Sequence, residues 1–580
     1  MEGADGPFAG RGAHATASCL ADLARAGVRV VNVSPTRDDG PESVAPEWIP
    51  IRPGADTAML LALCHTLIAN DLHDRDFLSR YCAGFDQVQA YLMGAADGAP
   101  KDAAWAESIS GVPAGTIRTL ARDMAAARTM VAASWSLQRA DHGEQPYWAV
   151  ILLAACLGQI GLPGGGFGFG YGSTMGIAEP PPAFRTPGME VIGNPLNRAI
   201  PAARIAQCLL HPGEAYDFNG RRSAYPDIRL VYWAGGNPFH HHQDINQLRS
   251  AFRRPQTVIV HEPWWTATAR HADIVLPATT TLERNDIGCA QRDRFVIAMQ
   301  RAIEPVGDAR NDYNIFAALA RRLGVAEAFT KGRDEMGWVR HLYDGWRESV
   351  RSNVASIPDF DRFWSDGYLE IPKAADEYVM FEKFRADPAA NKLTTPSGRI
   401  ELFSERIAAF GYDNCPPHPT WIEPSEWRGA QSYPLHLLSS QPRYKLHSQM
   451  DAGPVSARGK IGGREAVELH PDDARRRGIK DGDIVRIHNA RGACLAGAVL
   501  SDTLSPGVAK LSCGAWYDPA SADDGALCAH GNANILTHDR GSSRLSQGPS
   551  TGTNMVEIER WGGPLPPVRA FEAPALEVLP

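Results

Sequence analysis

Between Asn237 and Gln243 the chain sets Asn237, His240, His241, His242 and Gln243, five polar side chains in seven positions. Imidazoles and carboxamides at that density suit a phosphate or a large polar heterocycle, because they donate and accept hydrogen bonds at neutral pH. The stretch that delivers them, Ile228 to Asp244 (IRLVYWAGGNPFHHHQD), begins as an apolar run rich in β-branched and aromatic residues, which predicts a buried strand. Gly235 and Gly236 remove side chains that would hold a ligand off the backbone, and Pro238 bars the strand from continuing. Gln243 to Phe252 has helical spacing, and Gln256 to His261 (QTVIVH) predicts a second buried strand. Strand, glycine turn, helix, strand is a βαβ unit, and ligands lie where such strands end. Two glycines alone would suit an ordinary strand-to-helix turn; the polar cluster beyond them favours a ligand loop.

Other polar runs follow the same rule. Thr129 to Ser134 reads as a strand, and after it Trp135, Ser136, Gln138, Arg139, His142 and Glu144 crowd the run WSLQRADHGEQ before an apolar helix from Tyr147. A polar loop opening onto a helix N-terminus is a natural anion site. The strand Val28 to Val33 ends at Ser34-Pro35-Thr36-Arg37, and Asp56 reads as the N-cap of a helix from Thr57 to Asn70, with a ligand contact as its competing role. Leu162 to Gly170 is too glycine-rich for regular structure and reads as a ligand lining or a flexible loop. Asp273 precedes an apolar strand that Asp286 follows. Near the C-terminus, a strand over Tyr433 to Ser439 leads into His447, Ser448 and Gln449.

The elements that must position these residues call for more than one core. A chain of 580 residues divides into several domains. With 44% hydrophobic and 21% charged residues it is of ordinary globular composition, and a net charge of −8 gives no footprint for nucleic acid. The longest apolar stretch, Tyr147 to Leu157, is too short to span a bilayer and reads as a buried helix. Ten cysteines form no CxxC pair, which argues against zinc and local iron–sulfur sites, and their scattered placement favours a reducing, cytoplasmic compartment. The first residues, MEGADGPFAGRGAHA, have no apolar core of a signal peptide, and the chain opens on a helix (Ala15 to Ala26) with no strand before it. That start resembles the middle of a domain. A Pro-rich break, Cys415 to Pro424, marks a boundary, and beyond it Glu468 to Gly478 reads as a helix. The hairpin Ile484 to His488 with Ala493 to Leu500, and then Val508 to Ser512, predict a small β-barrel. The expected domains are 1–265, 266–425 and 426–580.

Taken together, WSLQRADHGEQ, GQIGLPGGGFG, YWAGGNPFHHHQD, ARHADIVLPATT with ERND, and KLHSQ resemble the molybdopterin oxidoreductases, in the branch of dimethyl sulfoxide, trimethylamine N-oxide and biotin sulfoxide reductases. The likeness runs from about Gly12 to the C-terminus, and five motifs in order are far more specific than GGNP alone. It implies α/β, Rossmann-like parallel-sheet domains with a C-terminal barrel of the double-psi type. It implies a cofactor of two molybdopterin guanine dinucleotides on one molybdenum, bis(molybdopterin guanine dinucleotide). It also implies transfer of an oxygen atom from an S-oxide or N-oxide to Mo(IV), restored by two electrons from a donor protein and two protons. By resemblance Gly235, Gly236, Asn237 and His240, with Asp273 and Asp286 near them, hold one dinucleotide, and Ser34, Arg37 and Asp56 the other. Trp135, Ser136, Gln138, Arg139 and His142 lie under the metal end; His447, Ser448, Gln449, Trp516, Asn534 and Gln547 close the site from the barrel.

Ser34 stands where the family commonly has Asn, and Gln441 and Lys445 where it commonly has His and Arg; lysine lacks arginine's bidentate grip on phosphate. The family's metal-ligating serine and its substrate-orienting aromatic residues lie in an N-terminal region without counterpart here. The expectation is therefore a fragment, one half of a split enzyme whose missing segment is a partner, or a degenerate chain, and no residue is assigned as metal ligand. A nicotinamide-dependent dehydrogenase, the rival α/β reading, would need a G-x-G-x-x-G turn opening a helix, whereas the run at Gly164 follows one. A non-enzymatic cofactor-binding role is the second rival.

Overall fold

The computed structural model describes residues 16–575 apart from 171–183, 190–192, 194–195, 290–293, 353, 355, 373–377, 428–431 and 522–526. The reading of residues 1–15 therefore lies outside the described residues. Strand β1 (Val31–Val33) pairs in parallel with β2 (Glu47–Ile49). Helix α1 (Asp56–Ala69) begins one residue earlier than its sequence suggested, so Asp56 is its first residue and Ala55 its N-cap. The expected cap is thus corrected: the N-cap position falls to Ala55, which has no polar side chain to cap with.

Strand β3 (Met130–Ala133) is followed by α2 (Gln145–Cys156), which packs on α1. Both helices are apolar on every side, as a helix must be when it runs through a core. The glycine-rich run is not all loop: Gly166–Phe169 forms β4, parallel to β3. A ladder needs only backbone groups, and bare glycine lets this one lie close to α2's end, since a Cβ on Gly166 would approach the Ile160 Cα to 3.1 Å.

The βαβ unit is present, but its first strand is not buried as expected: its ends, Leu230 and Ala234, are exposed and the residues between them half-buried. Strand β5 (Leu230–Ala234) leads through a one-turn helix α3 (Pro238–His241) and α4 (Ile245–Phe252) to β6 (Thr257–His261), and β7 (Ile274–Leu276) completes a parallel sheet in the order β5-β6-β7. Helix α5 (Asp312–Arg322) packs over this sheet through Phe316 against Tyr232 and His261. Residues 286–370 contribute a separate antiparallel sheet over an aromatic core in which Tyr343 stacks on Phe363 at 4.3 Å.

In the C-terminal region β8 (Leu435–Leu438), β9 (Arg464–Leu469), β10 (Ile484–His488), β11 (Ala493–Leu500), β12 (Val508–Leu511) and β13 (Met555–Arg560) run in the order β9-β12-β8-β13-β10-β11. Parallel pairing of β11 with β9 closes the ring into a barrel. Glu468 and Leu469 belong to β9, not to the helix expected there, which spans only Pro471–Arg476. Alternation in REAVEL is masked by the helix signal of HPDDARRRG behind it. The hydrophobic clusters do not follow chain order: Phe384, Ile400, Leu402 and Trp427 pack with the helices α1 and α2, while Phe239, Ile245 and Val260 share a core with the barrel.

Candidate functional site

At the carboxyl end of β5, Gly235 and Gly236 have φ of +79° and +85°, a left-handed backbone that glycine adopts without penalty. A Cβ on Gly235 would meet nothing within 4 Å, so the loop presents bare backbone to open space. Asn237 is buried, and its Oδ1 accepts from the Thr268 hydroxyl at 2.6 Å. That bond fixes the carboxamide so that Nδ2 is the donor left over. Among the described residues, Asn237 Nδ2, His240 Nδ1 and Gln243 Oε1 are buried polar atoms with no hydrogen-bond partner. A buried orphan costs about 1–3 kcal/mol each, so three on one loop mark the place of an absent polar partner.

The barrel holds this loop from the other side. Asn532 Nδ2 donates to the Phe239 carbonyl at 3.1 Å and to that of Ala515 at 3.0 Å, and Asn534 Nδ2 donates to the His240 carbonyl. Gln243 Nε2 donates to the Arg540 carbonyl at 3.3 Å. The His240 and His447 rings come within 6.1 Å. Burial, with the neighbouring His241, pushes His240 down to about 3. Burial, with His447 and Arg139, takes His241 down to about 4, and burial with His241 takes His242 to about 3. All three imidazoles are neutral at pH 7 and able both to donate and to accept.

Arg139 lies at the end of the short 3-10 turn Trp135–Arg139 that follows β3. Tyr147 from α2 braces that turn: its hydroxyl donates to the Ser134 carbonyl at 2.8 Å and accepts from the Gln138 amide at 3.2 Å. Trp135 stacks on Phe169 of β4 at 5.6 Å, so the glycine-rich strand supports the turn. Ser136 bonds to the Ser134 hydroxyl at 2.6 Å, and Gln138 Nε2 to the Trp135 carbonyl at 3.2 Å. From the barrel, Trp516 donates its indole N–H to the Ser448 carbonyl at 2.8 Å, and the Gln449 amide donates to the Leu446 carbonyl at 2.8 Å. Gly235, Gly236, Asn237, His240, Arg139, His447, Ser448 and Trp516 thus belong to one neighbourhood, with Trp135, Ser136, Gln138 and Gln449 on the turns that carry it.

The structure uses several other expected residues differently. Asp273 sits at the amino end of β7, accepting from the Val258 amide at 2.8 Å, whereas the ligand loop is at the sheet's carboxyl end. Asp286 opens a strand of the separate antiparallel sheet and bonds locally to the Ile287 amide at 2.9 Å. His142, at φ +56°, donates through Nδ1 to the Asn414 carbonyl, 3.1 Å away, and Gln547 Nε2 donates to the Asp217 carbonyl at 2.8 Å; both fasten loops. The Asn534 carboxamide is spent on the His240 carbonyl, so it positions the loop from within. Around β1, the Ser34 hydroxyl donates to Asp39 and accepts from the Thr36 amide at 3.1 Å, and Arg37 pairs with Asp502 of the barrel at 3.2 Å. Asp56 keeps a carboxyl that burial raises to about 6, with no side-chain cation beside it. The Lys445 ammonium is engaged within the protein, 2.7 Å from Asp451 and 2.5 Å from Glu465, all buried.

Sequence reading missed Asn532 and Asp451, and gave Thr268 no role although it stands in the polar run before β7. Asn532 stands two residues before Asn534 and Asp451 two after Gln449, but only the fold reveals what each one holds. Among the described residues no three His, Cys, Asp or Glu side chains cluster to hold a metal ion. No described helix is long and apolar enough to cross a membrane.

An α/β chain whose strand-end loop and barrel together frame unpartnered polar atoms is a binder of a large polar cofactor. The family follows from comparison. Residues 13–322 match the model of Molybdopterin oxidoreductase, and residues 435–555 that of the Molydopterin dinucleotide binding domain. The chain is 50% identical to a biotin sulfoxide reductase of Cereibacter sphaeroides, over 98% of this chain and 77% of that one. It is 44% identical to a dimethyl sulfoxide/trimethylamine N-oxide reductase of Rhodobacter capsulatus (96% and 69% covered) and to a trimethylamine-N-oxide reductase of Haemophilus influenzae (94% and 69%). The chain belongs to the molybdopterin oxidoreductase family. In structure it is similar to acetylene hydratase from Pelobacter acetylenicus, with a TM-score of 0.64 at 17% identity over 93% of this chain and 74% of that one, which speaks for the fold alone.

Proposed function

We propose that this chain is the cofactor-holding body of a molybdenum-dependent reductase of S-oxides or N-oxides, with biotin sulfoxide, dimethyl sulfoxide and trimethylamine N-oxide as its candidate substrates. The observation that carries the reading is the set of buried, unpartnered atoms on Asn237, His240 and Gln243, lying in a chain half identical to a biotin sulfoxide reductase. Those atoms fit the acceptors and donors of a pterin dinucleotide, here proposed to be the guanine form and present twice per molybdenum. When bound, the cofactor supplies the two-electron chemistry at its metal, and a separate donor protein supplies the electrons.

The chain's own residues bind, orient and shape the electrostatics. Bare backbone at Gly235 and Gly236 admits a phosphate or pterin edge without side-chain hindrance. Asn237 Nδ2 donates to it, and neutral His240 offers Nδ1 without introducing a charge. Arg139 places the fixed cation of the cleft near His241 and His447, where an anionic cofactor or polar oxide gains most from it. Trp516 and the turn at 446–449 cover the opposite side. Asp56, with a carboxyl poised near 6, is the candidate for hydrogen bonding to a base or ribose of the second dinucleotide. A nicotinamide dehydrogenase reading gains nothing from these contacts, since no G-x-G-x-x-G turn opens a helix.

The test is oxidation of a reduced dye by the cofactor-loaded protein, with each of the three oxides in turn. Oxide-dependent turnover is expected with at least one. A loaded protein that oxidises dye with none of them would contradict the proposed reaction.

A further inference from the structure

Residues 445–451, KLHSQMD, make a loop that contains two non-glycine residues in the left-handed region, His447 at φ +50° and Met450 at φ +56°. Such conformations persist only where surrounding structure over-determines them. Here the neck of the loop is closed by an ion pair, Lys445 Nζ to Asp451 Oδ1 at 2.7 Å, with the two side chains only 2% and 0% exposed. Asp451 collects further donors: Lys460 Nζ at 2.8 Å, the Ser456 hydroxyl at 3.1 Å and the Trp516 amide at 3.1 Å. Glu465 balances the charge, 2.5 Å from Lys445 and 3.5 Å from Lys460. His530 completes the group; its Nε2 accepts from Lys460 at 2.9 Å and its Nδ1 donates to the Trp516 carbonyl at 3.0 Å. Next to the loop, Gly514 has room for no side chain, because a Cβ there would fall 2.0 Å from the His447 carbonyl oxygen.

We propose that Asp451 is a positioning residue of the site: as common acceptor for Lys445, Lys460, Ser456 and the Trp516 amide, it fixes the 446–449 turn and Trp516 as one rigid wall opposite His240. This rests on the reading of the cleft as a cofactor site, but its physical content is local. A buried ion cluster is weak grounds for stability, since charge-neutral replacement is often tolerated while removal of one partner is not. What apolar substitutes cannot reproduce is a single oxygen pair meeting donors from four chain positions. The cluster therefore decides where the wall stands more than how stable the barrel is.

That distinction is measurable. Asp451→Asn leaves an unbalanced buried cation and should lower Tm markedly. The double variant Asp451→Asn with Lys460→Met restores charge balance and should recover most of that loss. In the double variant, amide hydrogen exchange over 446–450 should nevertheless remain about tenfold or more faster than in the unaltered chain, and pterin nucleotide retained through gel filtration should fall several-fold. Asp451→Glu keeps the charge but moves the carboxylate by one methylene; it should show the same local loosening and guards against a double variant that does not fold. Slow, unaltered exchange over 446–450 in these variants overturns the proposal. The exchange arm is run on protein from cells lacking the cofactor as well as from cells making it. If the unaltered chain carries no pterin nucleotide, the reading of the cleft fails, while exchange still decides the role of Asp451.

Discussion

The run of three histidines carries a pH dependence whose sign follows from the burial of His240 and His242. His240, His241 and His242 have folded values of about 3, 4 and 3 against an ordinary 6.5. The unfolded chain therefore takes up protons first, and the stability these groups leave intact above about 6.5 is lost as the pH falls towards 4. His241 is exposed and its part is screened, so with the two buried imidazoles contributing the cofactor-free chain should lose up to about 3 kcal/mol per pH unit in that window. Urea midpoints between pH 7 and 4.5 would measure the slope, and His242→Asn should reduce it by about half. An unchanged slope would mean that His242 titrates normally in the folded chain. At Gly235 the prediction is steric. Gly235→Val meets no protein atom within 4 Å of its Cβ, so the fold should lose only the cost of a left-handed residue, about 1–3 kcal/mol. The branched side chain would stand where the cofactor backbone belongs, and pterin nucleotide content should fall severely. Full content in a folded variant would return the loop to an ordinary turn.

Among elements, the junction between the ligand loop and the barrel is made by two asparagine side chains, Asn532 and Asn534, reaching the carbonyls of Phe239, Ala515 and His240. Removing both, Asn532→Ala with Asn534→Ala, strips three buried acceptors of partners at about 1–3 kcal/mol each. Exchange protection over 237–244 should drop while that of β9 to β12 is kept; equal loss in both would show that the junction and the barrel unfold as one unit. This junction was invisible in the sequence, because its partners lie nearly three hundred positions apart and asparagine in a loop has a dozen local uses. The strands were legible for the opposite reason: LVYWA and TVIVH are apolar runs cut by glycine or polar residues, and their observed ends fall within two positions of the expected ones. β4 was hidden because GFGF has too few side chains to show alternation. That Asp273 lies at the amino end of its strand was hidden because a polar residue beside a strand does not announce which end of the sheet it occupies.

At the scale of the molecule, the site exists only because distant parts of the chain interleave. The barrel shares one apolar core with α3, α4 and β6, and residues 384–427 return to the helices α1 and α2. The sequence disclosed the family through five motifs in order, yet the spatial order of the barrel, closed by β11 against β9, required the structure. Fold likeness does not fix chemistry: at a TM-score of 0.64 the chain superposes on a hydratase, so the site must carry the functional reading. The central claim is that the β5 loop and the barrel together hold a molybdopterin guanine dinucleotide. Its most direct test is to purify the protein from cells that make the cofactor, measure bound molybdenum, and release nucleotides with acid for mass spectrometry. The account predicts GMP, two per molybdenum, with no NAD; NAD in its place, or a folded protein that carries neither molybdenum nor GMP, would contradict it.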